Sequence, residues 1–145
     1  IAILAFYSKL AILMENFTKP ATDTTPLLML DAGLGEFVIE GKSIPSDAEG
    51  FYGPVLNWLN QYVDKPNLKT TLVLKLDYFN ISSSKRILFI FYKLNELIDA
   101  GHQVDVKWYF HEGEDDMHEV GQDFAFMVNI PFEFIEYSHY ESLAG

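Results

Sequence analysis

The segment Thr71–Ala100, TLVLKLDYFNISSSKRILFIFYKLNELIDA, changes its hydrophobic period part-way along, and this limits what the rest of the chain can become. Leu72, Leu74, Leu76 and Tyr78 alternate with Val73, Lys75 and Asp77, the two-residue period of a strand with one more apolar face. Ile87, Ile90, Phe91, Leu94, Leu97 and Ile98 then recur at three- and four-residue steps, one face of a helix. Between them lies Asn80-Ile81-Ser82-Ser83-Ser84-Lys85, with three hydroxyls where the helix should begin. A helix start has unpaired N–H groups and a partial positive charge, so it favours a capping hydroxyl and can also hold a phosphate. Two readings follow. Ser82 or Ser83 is the N-cap, or the serines are the site of a phosphorylation switch.

The flanking sequence extends the pattern in both directions. Glu15–Pro26 carries two prolines and four threonines and reads as an extended arm. Leu27–Leu30 and Glu36–Glu40 read as strands joined through Asp31-Ala32-Gly33-Leu34-Gly35, followed by a loop from Lys42 to Asp47. Ser46 or Asp47 then caps a helix whose apolar face is Phe51, Val55, Trp58, Leu59 and Tyr62, ending before Pro66. After Gly101, Val104, Val106, Trp108 and Phe110 form another alternating strand. Glu112–Asp116 is an acidic run leading into a third helix with Met117, Val120, Phe124 and Met127 on one stripe. Carboxylates in a first helical turn are electrostatically favoured. Phe132–Tyr137 is the last strand. The order β-β-α-β-α-β-α-β predicts a single α/β domain, a mixed sheet covered by helices with right-handed parallel crossovers. Its expected limits are 14–138, with 139–145 as a tail. Residues 1–13, IAILAFYSKLAIL, are too short to span a bilayer and lack a signal-peptide pattern. They are expected to be an upstream extension before Met14 or an extra helix.

Composition narrows the partners. The formal net charge is −11, from 21 acidic and 10 basic side chains, so a nucleic-acid backbone would be repelled. There is no cysteine, which removes disulfides and thiolate chemistry and fits a cytoplasmic location. No phosphate-binding glycine loop and no nucleophile elbow occurs, so no cofactor and no catalytic residue is assigned. The best metal-like cluster is His111, Glu112, Glu114, Asp115, Asp116 and His118, which lacks a zincin pattern and is explained by helix-start electrostatics. His102 reads as a solvated turn residue, Asn80-Ile81-Ser82 as a chance sequon, and Trp58 and Trp108 as core.

From Met14 to Tyr137 the chain resembles the SiaC-like family of bacterial regulatory phosphoproteins. The resemblance rests on Met14-Glu15-Asn16-Phe17 with Thr25-Pro26, Gly41-Lys42-Ser43-Ile44-Pro45 and Trp58-Leu59. It continues through Lys75-Leu76-Asp77-Tyr78-Phe79-Asn80 into Ser82-Ser83-Ser84-Lys85, then Trp108-Tyr109-Phe110, Glu114-Asp115-Asp116-Met117 and Gly121-Gln122-Asp123-Phe124. It implies a non-enzymatic partner switch in biofilm control, with a STAS-like arrangement of acceptor hydroxyl and helix. A serine/threonine kinase adds a phosphate, a metal-dependent phosphatase removes it, and the unmodified form binds an effector such as a membrane diguanylate cyclase that makes cyclic-di-GMP. Direct membrane insertion is not implied. Family members commonly have a threonine acceptor where this chain has Ile81, so the acceptor role is expected to pass to Ser82 or Ser83, with Ser82 nearest the lost position. Asn80, Ile81, Ser84, Lys85 and Arg86 are the expected partner-binding residues, with Lys93 farther along the helix and Glu112–Asp116 as a second contact. Two alternatives stand beside this: an anti-sigma-factor-antagonist-like switch, and a metal-dependent enzyme using His111, His118 and the nearby acids.

Overall fold

The structure is a computed structural model, and it describes residues 14–138. The extension or extra helix expected at 1–13 and the tail expected at 139–145 lie outside the described residues. Six strands and three helices follow one another as β1 (Phe17–Lys19), β2 (Leu27–Asp31), β3 (Glu36–Ser43), α1 (Ala48–Tyr62), β4 (Lys69–Phe79), α2 (Ile81–Asp99), β5 (Gln103–His111), α3 (Asp115–Met127) and β6 (Phe132–Tyr137). The strands lie in one sheet in their order along the chain. β1, β2 and β3 are antiparallel neighbours, and β3 to β6 are parallel. The mixed sheet expected from the sequence is present.

Strictly sequential parallel strands joined by right-handed crossovers must place every helix on one face. The burial pattern agrees. Leu28, Leu30, Phe37, Ile39, Leu72, Leu74, Leu76, Val104, Val106 and Trp108 are buried, as are Tyr52, Val55, Leu59 and Tyr62 of α1 and Ile87, Phe91 and Leu94 of α2. The alternate residues of the central strands, among them Val38, Val73, Lys75 and Lys107, are only partly covered. Both tryptophans are core, as expected: Trp58 is 8% exposed and Trp108 1%. Trp108 is covered by α3, and Gly121 makes that approach possible. A Cβ added there would lie 2.6 Å from the indole Nε1. The same Nε1 donates to the Met117 carbonyl at 3.1 Å, so the ring is both packed and satisfied.

Four expectations are corrected. The arm before Leu27 holds a short edge strand, β1, whose Phe17 pairs with Leu30. It is tied down by contacts distant in sequence: Asn16 Oδ1 accepts from the Ala32 N–H at 2.9 Å, and Trp58 Nε1 donates to the Glu15 carbonyl at 2.9 Å. Lys42 and Ser43 belong to β3, not to the loop, because the strand follows β4 almost to its end. Tyr78 is 57% exposed, not on the apolar face. The register slips between Gly41 and Lys42, leaving Asp77 without an opposite residue, and one extra residue turns the strand's next side chains over. Met127 is likewise 56% exposed at the end of α3.

Candidate functional site

The C-terminal ends of the parallel strands β3, β4 and β5 each lead into a helix start, and the β4–α2 junction carries the candidate residues. Neither Ser82 nor Ser83 is the N-cap. Asn80 takes that place, with extended backbone (φ −84°, ψ 172°) and its side-chain oxygen accepting from the Ser83 N–H at 2.9 Å. A carboxamide oxygen reaches the third amide of the helix as well as a hydroxyl does, so the serines are moved inside the first turn. Ile81, Ser82 and Ser83 become its first three residues.

One turn of a helix points three neighbours in three directions, and the two acceptor candidates part company here. Ser83 points inward and is fully buried. Its hydroxyl donates to the Ser43 carbonyl at 3.0 Å and accepts from Ser43 Oγ at 2.8 Å. Ser43 Oγ lies 2.6 Å from the Tyr52 hydroxyl. Because a serine hydroxyl has one proton, and that of Ser43 goes to Ser83, Tyr52 must donate to Ser43. Three hydroxyls thus pass their protons in one direction from α1 through β3 to α2, and the chain ends on a carbonyl. The Ser43 carbonyl also accepts the Asn80 N–H at 3.0 Å. Burial pushes the Tyr52 phenol up to about 12. Ser43 stands in the sequence only as part of the Gly41–Pro45 motif, and Tyr52 carries no mark as a site residue. A signal existed for Ser43, which continues the inward series Phe37, Ile39, Gly41 at period two.

Ser82 points outward and is exposed. Its hydroxyl donates to Asn80 Oδ1 at 3.2 Å, a long bond at the surface that leaves the oxygen accessible. Ile81, beside it, is 90% exposed. Ser84 is half-buried, its hydroxyl donating to the Ile81 carbonyl at 2.6 Å. Lys85 is exposed, and Arg86 reaches Glu49 of α1 at 3.7 Å. Lys93 pairs with Glu96 at 2.8 Å. The first turn of α2 carries no acidic side chain. Its positive end therefore stays uncompensated by the chain's own charges.

The acidic stretch Glu112–Asp116 is separate from this site in sequence and lies exposed around the start of α3. His111 and His118 are not brought together. His111 Nε2 is 2.7 Å from Asp77 Oδ1, and the Tyr137 hydroxyl is 3.1 Å from the same nitrogen. Burial first, then the charges of Asp77 and Glu40, push the Tyr137 phenol up to about 12. His118 instead stacks on Phe110, ring centroids 4.4 Å apart and planes at 5°. Among the described residues, no three histidine or acidic side chains cluster closely enough to hold a metal ion.

Comparison with known proteins places this geometry in context. The profile described as SiaC family regulatory phosphoprotein matches residues 19–137. The chain is 26% identical over 119 residues to an uncharacterized protein of Pseudomonas aeruginosa (strain UCBPP-PA14), covering 82% of this chain and 94% of that one. It is similar in structure to SiaC of Pseudomonas aeruginosa, at 25% identity and a TM-score of 0.79 over 86% of this chain and 100% of that one. A further similar structure is that of diguanylate cyclase SiaD in complex with its activator SiaC from the same organism. There the identity is 25% and the TM-score 0.79, over 83% of this chain and 99% of that one.

Proposed function

This chain belongs to the SiaC family of regulatory phosphoproteins, and from that premise we propose that it is a non-enzymatic switch acting by phosphorylation-gated binding. Its effector is a diguanylate cyclase, by analogy with the complex that SiaC of Pseudomonas aeruginosa forms with SiaD. Ser82 is the phosphoacceptor, acted on by a serine/threonine kinase and a metal-dependent phosphatase. Asn80, Ile81, Ser84, Lys85 and Arg86 form the rim that the effector meets. No helix among the described residues is long and apolar enough to cross a membrane, and we place the chain in the cytoplasm beside a membrane-bound partner.

The observation that carries this reading is the contrast in exposure between Ser82 and Ser83 at one helix start. A kinase needs a reachable hydroxyl, and Ser82 offers one while Ser83 is held in the core. A phosphate there adds a charge of about −1.5 to −2. It would sit at the positive end of α2, where the fold tolerates it, and at the rim, where a partner would not.

The test is a titration of a purified SiaD-type cyclase with two forms of the chain, one unmodified and one carrying phosphoserine at position 82. The unmodified form is expected to bind and raise cyclic-di-GMP output. The phosphorylated form should bind roughly tenfold or more weakly, as a desolvated charge in an interface implies, yet melt at the same temperature. Equal binding by both forms would remove the gate.

A further inference from the structure

Parallel strands are normally covered on both faces, and here the helices share one. On the other face a cavity of about 430 Å³ opens between β3, β4 and β5. Val38 and Val73, register partners on β3 and β4, line it side by side, and Lys107 follows in register on β5. Leu34 lines it from the β2–β3 turn although it is 67% exposed. That turn is firmly held. The Leu34 N–H donates to Asp31 Oδ1 at 2.9 Å, the Gly35 N–H to the Asp31 carbonyl at 2.9 Å, and the Thr71 N–H to the Gly35 carbonyl at 2.8 Å. Gly35 has φ +68°, and a Cβ there would lie 2.5 Å from the Lys69 carbonyl oxygen, so only glycine lets the turn sit this close to β4. The charges around the cavity are left unmatched. Lys107 stands in register with Glu133 of β6, yet among the described residues it makes no ion pair and lines the cavity instead. Lys69, which also lines it, makes none either. Lys75, on the same face, is already engaged, its Nζ 4.5 Å from the centre of the Tyr109 ring. An ammonium half removed from water without a counter-ion carries a desolvation cost that one bound negative charge would offset.

We infer that this cavity binds a small organic carboxylate with a flat apolar body. The carboxylate meets Lys107, with Lys69 at the outer side, while the body lies on Val38 and Val73 beside Leu34. The same residues argue against a phosphate. The chain's single arginine, Arg86, is on α2, and no helix start faces the cavity. The Thr71 hydroxyl has already given its proton to Asp105 Oδ1 at 2.6 Å, so it cannot donate to an anion. A second negative charge would find no second half-buried cation and would meet Glu36 at the rim. The site lies on the opposite face from the helices and towards the opposite ends of β3 and β4 from Ser43 and Asn80. It is therefore a second input to the molecule, independent of any phosphate on Ser82.

The probe is phenylacetate, set against phenethyl alcohol, phenethylamine and inorganic phosphate, each titrated into the full chain and followed by amide resonances. Phenylacetate is expected to shift Leu34, Gly35, Val73 and Lys107, with half-saturation at about 1 mM for a ligand of this size. The alcohol, which keeps the ring and loses the charge, should bind roughly tenfold more weakly, and the amine and phosphate should leave these residues unmoved. Lys107→Gln should weaken phenylacetate roughly tenfold and leave the alcohol as it was, while Lys75→Gln, outside the cavity, should change neither. Lys107 makes no hydrogen bond or ion pair among the described residues, so its replacement tests the site and not the fold. Retained alcohol binding in the variant checks this directly. Equal binding of acid and alcohol, undiminished acid binding by Lys107→Gln, or no shift at the four residues would each overturn the inference. Phosphate shifting them as strongly as phenylacetate would overturn the carboxylate assignment.

Discussion

Two helix starts at the same edge of the sheet follow neighbouring parallel strands, yet they are built in opposite ways. At α3 the acids Asp115 and Asp116 fill the first turn, and Glu114, at the cap, makes no side-chain cap bond. The positive end of that helix is already compensated by charge. At α2 no acid is present, the cap is the neutral Asn80, and three serines stand in the first turn. What fixes the two starts also differs. α3 is held by packing, its Gly121 pressed against Trp108. α2 is held from beneath by the buried chain Tyr52–Ser43–Ser83. A helix start kept rigid from below and uncompensated above can accept an anion without coming apart. The α3 start has no such room, because a further negative charge would meet Asp115 and Asp116.

Substitutions can break this contrast at graded cost. The largest effect is expected from Gly121→Val, which drives a branched side chain into a rigid indole ring. A loss of about 2–3 kcal/mol, read as a lowered denaturant midpoint, is the expected result. An unchanged midpoint would mean that α3 is not seated on Trp108 as described. Ser83→Ala should cost about 1–3 kcal/mol, because Ser43 loses its acceptor inside the core. The same buried chain has a signature in pH. Tyr52 is raised in the folded state, so its contribution is fully present below pH 10 and is lost as pH rises from about 10 towards 12. The parent should therefore lose stability over that window more steeply than Tyr52→Phe; parallel curves would show that Tyr52 is not buried as a neutral donor. The smallest effect sharpens the comparison most. Asn80→Ala should cost about 1 kcal/mol, while Glu114→Ala, which removes no cap bond, should cost close to nothing. Equal losses at the two sites would erase the distinction between the two starts.

Much of this was open to reading from the sequence. The alternation at Leu72–Leu76 and at Val104–Phe110, and the three helical stripes, place the elements because burial on one sheet face imposes those periods. The junction between β4 and α2 was readable for the same reason. The misses share a physical cause, which is information held by residues far apart in the chain. β1 is a strand only because β2 offers it an edge. Tyr78 turns outward only because β3 slips by one residue against β4. Which serine faces out depends on where the helix begins, and Asn80 decides that by capping two residues before the first of the serines. Nothing along the chain joins Ser43, Tyr52 and Ser83, 40 residues apart at their ends, until the fold closes them into one line.

The most direct test is site-mapped phosphopeptide analysis of the protein isolated from its own cells, with Ser82→Ala and Ser83→Ala variants alongside. Phosphate on Ser82, absent from Ser82→Ala and retained in Ser83→Ala, is the predicted result. Phosphate on Ser83, or none at all with the kinase overproduced, would contradict the account. The first outcome would require α2 to open, and the second would leave the chain as a binding partner that phosphate does not control.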